Sequence, residues 1–134
     1  MPHTCESRLR VRYAETDQMG VVYHANYLVW MEIGRTDFCR DCGFSYRDLE
    51  REENAFIAVA EARCRYRFPA HYDDEVIVET QIARLGKRVV EFSYVMRTGT
   101  AILAEGTTVH VVIGADKKPR SMPDRYFDMM QAKL

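Results

Sequence analysis

Residues 13 to 35 read YAETDQMGVVYHANYLVWMEIGR: an aspartate in a turn, a glycine, a histidine, then the start of a helix. These types at this spacing put a carboxylate, Asp17, and an imidazole, His24, beside the first turn of an apolar helix. The first peptide N–H groups of a helix have no internal acceptor and carry the positive end of the helix dipole. A carbonyl oxygen held there is polarised, and an oxyanion forming there is stabilised. A carboxylate nearby can attack that carbonyl or activate water against it. The segment therefore reads as an acyl-transfer site of hydrolytic type.

Each residue also has a plainer use. Asp17 is by type a turn-former, Tyr13 a core residue, His24 a packing or capping group, and Asn26 a helix N-cap. In the chemical reading Asp17 is ionised at neutral pH, since a free Asp titrates near ~3.9, and acts as nucleophile or general base. His24, whose ordinary value is ~6.5, orients substrate or protonates the leaving group. Tyr13 would supply a wall or a hydroxyl donor near Asp17. Glu32 and Arg35 lie three apart on the helix and are expected to pair. Arg63, Arg65 and Arg67 alternate along a strand, as a solvated face or a subunit contact would.

The elements that must hold these groups follow from periodicity. Residues 8 to 13 alternate strictly, with Leu9, Val11 and Tyr13 on one face, which predicts a half-buried strand. Thr16 to Gly20 predicts a turn in which Gly20 can take positive φ. Tyr27, Trp30, Met31, Gly34 and Phe38 recur at helical spacing, giving a long helix with Gly43 just past its end. Gly34 on that stripe implies close approach of a sheet. Ser45 should cap a short helix, and Pro123 should open a last one. Strands are predicted over residues 55–68, 75–84, 88–98 and 101–113. Their expected buried faces are Ala58 to Phe68 in alternation, then Val90, Phe92, Tyr94 and Met96, then Val109, Val111 and Ile113. The result is an α+β fold: a five-stranded, largely antiparallel sheet curled round one long central helix, in one domain over residues 1–134. Its edges invite pairing with a second copy.

Composition narrows the classes. With 47% hydrophobic and 29% charged residues the balance is that of a soluble globular chain. A net charge of -1 gives no bulk attraction to nucleic acid or anionic lipid. No stretch approaches the ~18 apolar residues of a membrane span, and the N-terminus has no signal-like apolar core. The four cysteines are unevenly spaced, as free thiols in a cytoplasmic protein would be. Cys39 and Cys42 lie at a helix end and have no second pair, so neither a metal site nor a redox site is expected.

With these residues set out, the chain resembles the hotdog-fold acyl-CoA thioesterases. It is similar to the 4-hydroxybenzoyl-CoA thioesterase superfamily and, within it, to the Tol-Pal-associated branch. The run from Asp17 to Tyr27, DQMGVVYHANY, carries the resemblance, with Glu32 and Arg35 further on and Tyr72 to Glu75 also familial. The resemblance implies that Asp17 is the catalytic carboxylate and that the backbone N–H at His24 polarises the thioester carbonyl. His24, where the 4-hydroxybenzoyl-CoA enzyme has tyrosine, points toward the broader acyl-CoA branch. The resemblance further implies that basic residues at strand ends hold the CoA phosphates, here Lys87 and Arg88. It implies a homodimer or homotetramer with active sites at the subunit interface, acting on acyl-CoA without a cofactor. Two other functions stay open: a hotdog dehydratase of 3-hydroxyacyl thioesters, and a non-catalytic acyl-CoA binding module. Against the dehydratase, Phe68-Pro69-Ala70-His71 has that class's loop elements in the wrong order.

Overall fold

The structure, a computed structural model, describes residues 2–134. Strand β1 (Cys5–Arg10) leads through a 3-10 turn (Tyr13–Glu15) into helix α1 (Asn26–Cys42) and helix α2 (Tyr46–Glu53). Four long strands follow, β2 (Ala55–Tyr66), β3 (Glu75–Leu85), β4 (Val89–Thr98) and β5 (Ala101–Gly114), and helix α3 (Asp124–Gln131) closes the chain. The strands form one sheet in the order β1-β3-β4-β5-β2, every neighbour antiparallel. The five-stranded antiparallel sheet matches the sequence expectation. The helices are three, α1 the longest at 17 residues, with α2 after Ser45 and α3 after Pro123 as expected.

α1 lies on one face of the sheet because its apolar stripe can be buried there. Trp30, Met31, Phe38 and Cys39 are fully buried, and the Phe38 ring meets Phe92 edge-on at 5.8 Å. Each such aromatic or aliphatic side chain contributes roughly 1.5–3 kcal/mol by leaving water. Gly34 is the point of closest approach: a Cβ there would collide with Thr80 Oγ1 and stand 2.9 Å from Val78 Cγ1. Gly43, at φ +112°, ends α1, and the Ser45 hydroxyl caps α2 by accepting from Asp48 N–H at 3.2 Å.

Several strand expectations need correction. Tyr13 is not in β1; the strand ends at Arg10 and Tyr13 begins the 3-10 turn, 77% exposed. In β5 the residues facing α1 are Thr108, His110 and Val112, not Val109, Val111 and Ile113. Register sets this parity: Phe92 pairs with Thr108 and Val90 with His110, so the buried face of β4 continues through them. β2 is largely exposed on both faces. It is an edge strand, and α1, which rests mainly on β1 and β3, meets it where Tyr27 packs edge-on against Tyr66 at 5.2 Å. A register shift between Val59 and Glu61 further breaks its alternation. Glu32 and Arg35 form no ion pair among the described residues; Arg35 turns toward Tyr94, Tyr46 and His110.

Candidate active site

The residues between β1 and α1 fold back on themselves at one end of the sheet. Thr16 bridges Val22, Asp17 N–H donates to the Val21 carbonyl at 2.8 Å, and Gly20 N–H donates to the Asp17 carbonyl at 3.0 Å. Gly20 takes φ +81°, the conformation that this turn requires. Met19 N–H donates to Asp17 Oδ1 at 2.8 Å, which fixes the carboxylate's direction. Among the described residues no ion pair engages Asp17, so its charge remains available.

Glu15 clamps this loop, a role that the sequence reading missed. Its carbonyl accepts from Tyr23 N–H at 2.8 Å and from Asn26 Nδ2 at 2.9 Å. Its carboxylate, 5% exposed, accepts from the Trp30 indole at 3.0 Å and from Arg12 N–H at 2.8 Å. Burial alone would raise this carboxyl, but the bonds from Arg12 and Trp30 outweigh burial and hold it below its ordinary value. The signal was present as an acidic residue two before Asp17, close to a helix that carries the chain's one tryptophan.

Asn26 is the first residue of α1 and not its cap; Ala25 holds the cap position without a side-chain bond. This corrects the N-cap expectation. The helix opens on short-range bonds, with Asn26, Tyr27 and Leu28 N–H donating to Tyr23, His24 and Ala25 carbonyls at 2.9, 3.3 and 3.2 Å. The His24 and Ala25 N–H groups have no acceptor within the described residues. These two donors stay open at the mouth of the helix.

Asp17 and His24 line the same cleft, a cavity of about 280 Å³ whose walls include Met19, Val22, Tyr66 and Phe68. Tyr66 donates its hydroxyl to the His24 carbonyl at 3.0 Å. Arg67 stands on the wall and pairs with Glu105 at 3.1 Å. Tyr66, Phe68 and Arg67 were read from sequence as core or solvated strand positions, because alternation does not reveal where a strand runs past its helix. Tyr13 is not part of this lining; its ring sits edge-on to Tyr72 at 5.7 Å. His71, of the loop order weighed against a dehydratase, is also outside it, 3.9 Å from Asp74.

Lys87 and Arg88 lie at the far end of the sheet. β4 begins at Val89, and its Met96 reaches the cleft end by pairing with Ala104, the partner of Tyr66. Seven strand residues separate those points, ~23 Å at 3.3 Å each. Lys87 pairs there with Asp124 and lies over the Phe127 ring at 4.6 Å. One protomer therefore does not bring Lys87 or Arg88 to Asp17. The four cysteines are free thiols; burial, with Asp41 beside it, pushes Cys5 up to about 12, and burial pushes Cys42 to about 11. Neither is a thiolate at neutral pH.

Residues 11–134 match the thioesterase-like superfamily. YneP of Bacillus subtilis is 36% identical over 98% of this chain and 99% of its own length. YbgC of Escherichia coli O157:H7, an acyl-CoA thioester hydrolase, is 34% identical over 86% of this chain and 87% of its own. In three dimensions the chain superimposes on TT1821 of Thermus thermophilus with a TM-score of 0.93 at 33% identity, over 98% of both chains. The chain belongs to the thioesterase-like superfamily.

Proposed function

We propose that this protein hydrolyses acyl-CoA thioesters to a free carboxylic acid and CoA thiol. One observation carries the reading: Asp17, a carboxylate with no ion pair among the described residues, shares a cleft with His24, at a helix mouth whose His24 and Ala25 N–H groups find no acceptor among those residues. The thioester carbonyl oxygen would accept from those N–H groups. Asp17 either takes a proton from water as the water oxygen attacks the carbonyl carbon, or attacks that carbon itself. The carbon–sulfur bond then breaks with its electrons going to sulfur, and His24 or solvent protonates the thiolate; where Asp17 has attacked, water then cleaves the resulting anhydride, releasing the acid and restoring the carboxylate. Relatives such as YbgC, by their described activity, support the same chemistry.

The fold in this reading is the hotdog, its sheet wrapped round α1 as one domain over residues 1–134, working in the cytoplasm, where its cysteines stay thiols. It works as a homodimer or homotetramer with each active site at a subunit interface. β2 supports this, being an edge strand with Val59 53% and Tyr66 46% exposed. Lys87 and Arg88 would then hold CoA phosphates across the interface, brought by a second copy. Asn26 tethers the mouth of α1 through its bond to the Glu15 carbonyl. The test is thiol release across a panel of acyl-CoA esters, run beside calorimetric binding and a crotonyl-thioester hydration assay. Thiol release on at least one ester supports the reading. Hydration without thiol release, or binding without turnover on every ester, sinks it.

A further inference from the structure

We propose that Tyr66 is a positioning residue for the carbonyl-polarising mouth of α1, an inference that rests on the hydrolase reading above. Tyr66 is the last residue of β2 and lines the cleft that holds Asp17. Its ring meets Tyr27 edge-on at 5.2 Å and His24 at 6.3 Å, so its hydroxyl is held in one direction. That hydroxyl donates to the His24 carbonyl at 3.0 Å, which also accepts from Tyr27 N–H at 3.3 Å.

The consequence follows from the peptide bond. The carbonyl of His24 and the N–H of Ala25 share one planar trans unit and point in opposite directions. Pinning the carbonyl toward Tyr66 therefore fixes the Ala25 N–H toward the open mouth of the helix, where it has no acceptor. A hydrogen bond to the carbonyl also polarises the whole unit and strengthens its N–H as a donor. Burial, with Cys64 beside it, pushes the phenol up to about 12, so Tyr66 keeps the proton it donates throughout the neutral range. The two effects, aim and polarisation, both act on a donor that a substrate oxygen would use. They bear most on the transition state, where that oxygen gains charge.

Tyr66→Phe keeps the ring contacts and deletes only the hydroxyl. Turnover and stability are measured on wild type and variant with an ester that the wild type cleaves, together with the Ala25 amide proton resonance in the ligand-free proteins. The expected result is a fall in kcat of about tenfold with KM within about twofold, a Tm within about 2 °C, and an upfield move of the Ala25 amide proton. A hydroxyl that merely anchors β2 would lower Tm and leave kcat untouched, and that outcome overturns the proposal. So does a loss carried by KM alone. A wild type inert toward every ester sinks the hydrolase reading and this inference with it; an active wild type matched by Tyr66→Phe sinks the inference alone.

Discussion

β4 and β2 carry the same pattern in sequence, alternate apolar residues over a long run, yet they end in opposite surroundings. Val90, Phe92, Tyr94 and Met96 of β4 are fully buried beneath α1, whereas Val59 and Tyr66 of β2 are 53% and 46% exposed. Alternation says which side chains share a face; distance from the helix decides whether that face is covered. The contrast separates two jobs. The covered strands carry the stability, and the cleft with Asp17 and His24 opens where uncovered β2 runs out.

That contrast can be broken by paired truncations. Phe92→Ala removes a fully buried ring and should cost about 3–5 kcal/mol in chemical denaturation. The pH dependence of stability should follow the same covered face. His110 is fully buried, bonded through Nε2 to Thr108 Oγ1 at 2.8 Å, and its Nδ1 has no partner among the described residues. Burial first, and the charge of Arg35 second, lower it to about 4 from an ordinary 6.5. The unfolded chain therefore binds this proton first on acidification. Stability from neutral His110 is full above ~6.5 and is lost as pH falls toward ~4, by at most about 3 kcal/mol. Denaturation between pH 7.5 and 5 should show that slope, and His110→Gln should flatten it; an unchanged slope would remove His110 as its source. Glu15 and Asp41, both held below their ordinary values, add their own loss at lower pH. The smallest effect belongs to β2: Val59→Ala, at a position 53% exposed, should cost under about 1 kcal/mol. A cost equal to that of Phe92→Ala would mean that β2 is covered after all.

Much of this was legible because local rules had no competitor. Gly20 and Gly43 stand at turns that need positive φ, Ser45 has a free amide to accept from, and the stripe from Tyr27 to Phe38 has only one face to bury. Asp17 and His24 were legible as a pair because seven residues and one turn bring both to the helix mouth. What failed depends on partners distant in sequence. The parity of β5 follows from its register with β4, and the exposure of β2 from its place at the sheet edge. Asn26 was read as a cap by type, but it falls one residue inside the helix, where its side-chain amide donates to the Glu15 carbonyl. Lys87 was placed near phosphate by resemblance, while in its own protomer Asp124 holds it at the other end of the sheet.

The most direct measurement is steady-state thiol release from a cleavable acyl-CoA ester by wild type and by Asp17→Asn at saturating substrate. Asp17→Asn should fold with the wild-type denaturation midpoint, still bind the ester, and lose at least ~10²-fold in kcat. Turnover within a few fold of wild type would take the carboxylate out of the chemistry and leave the cleft without its reactive group.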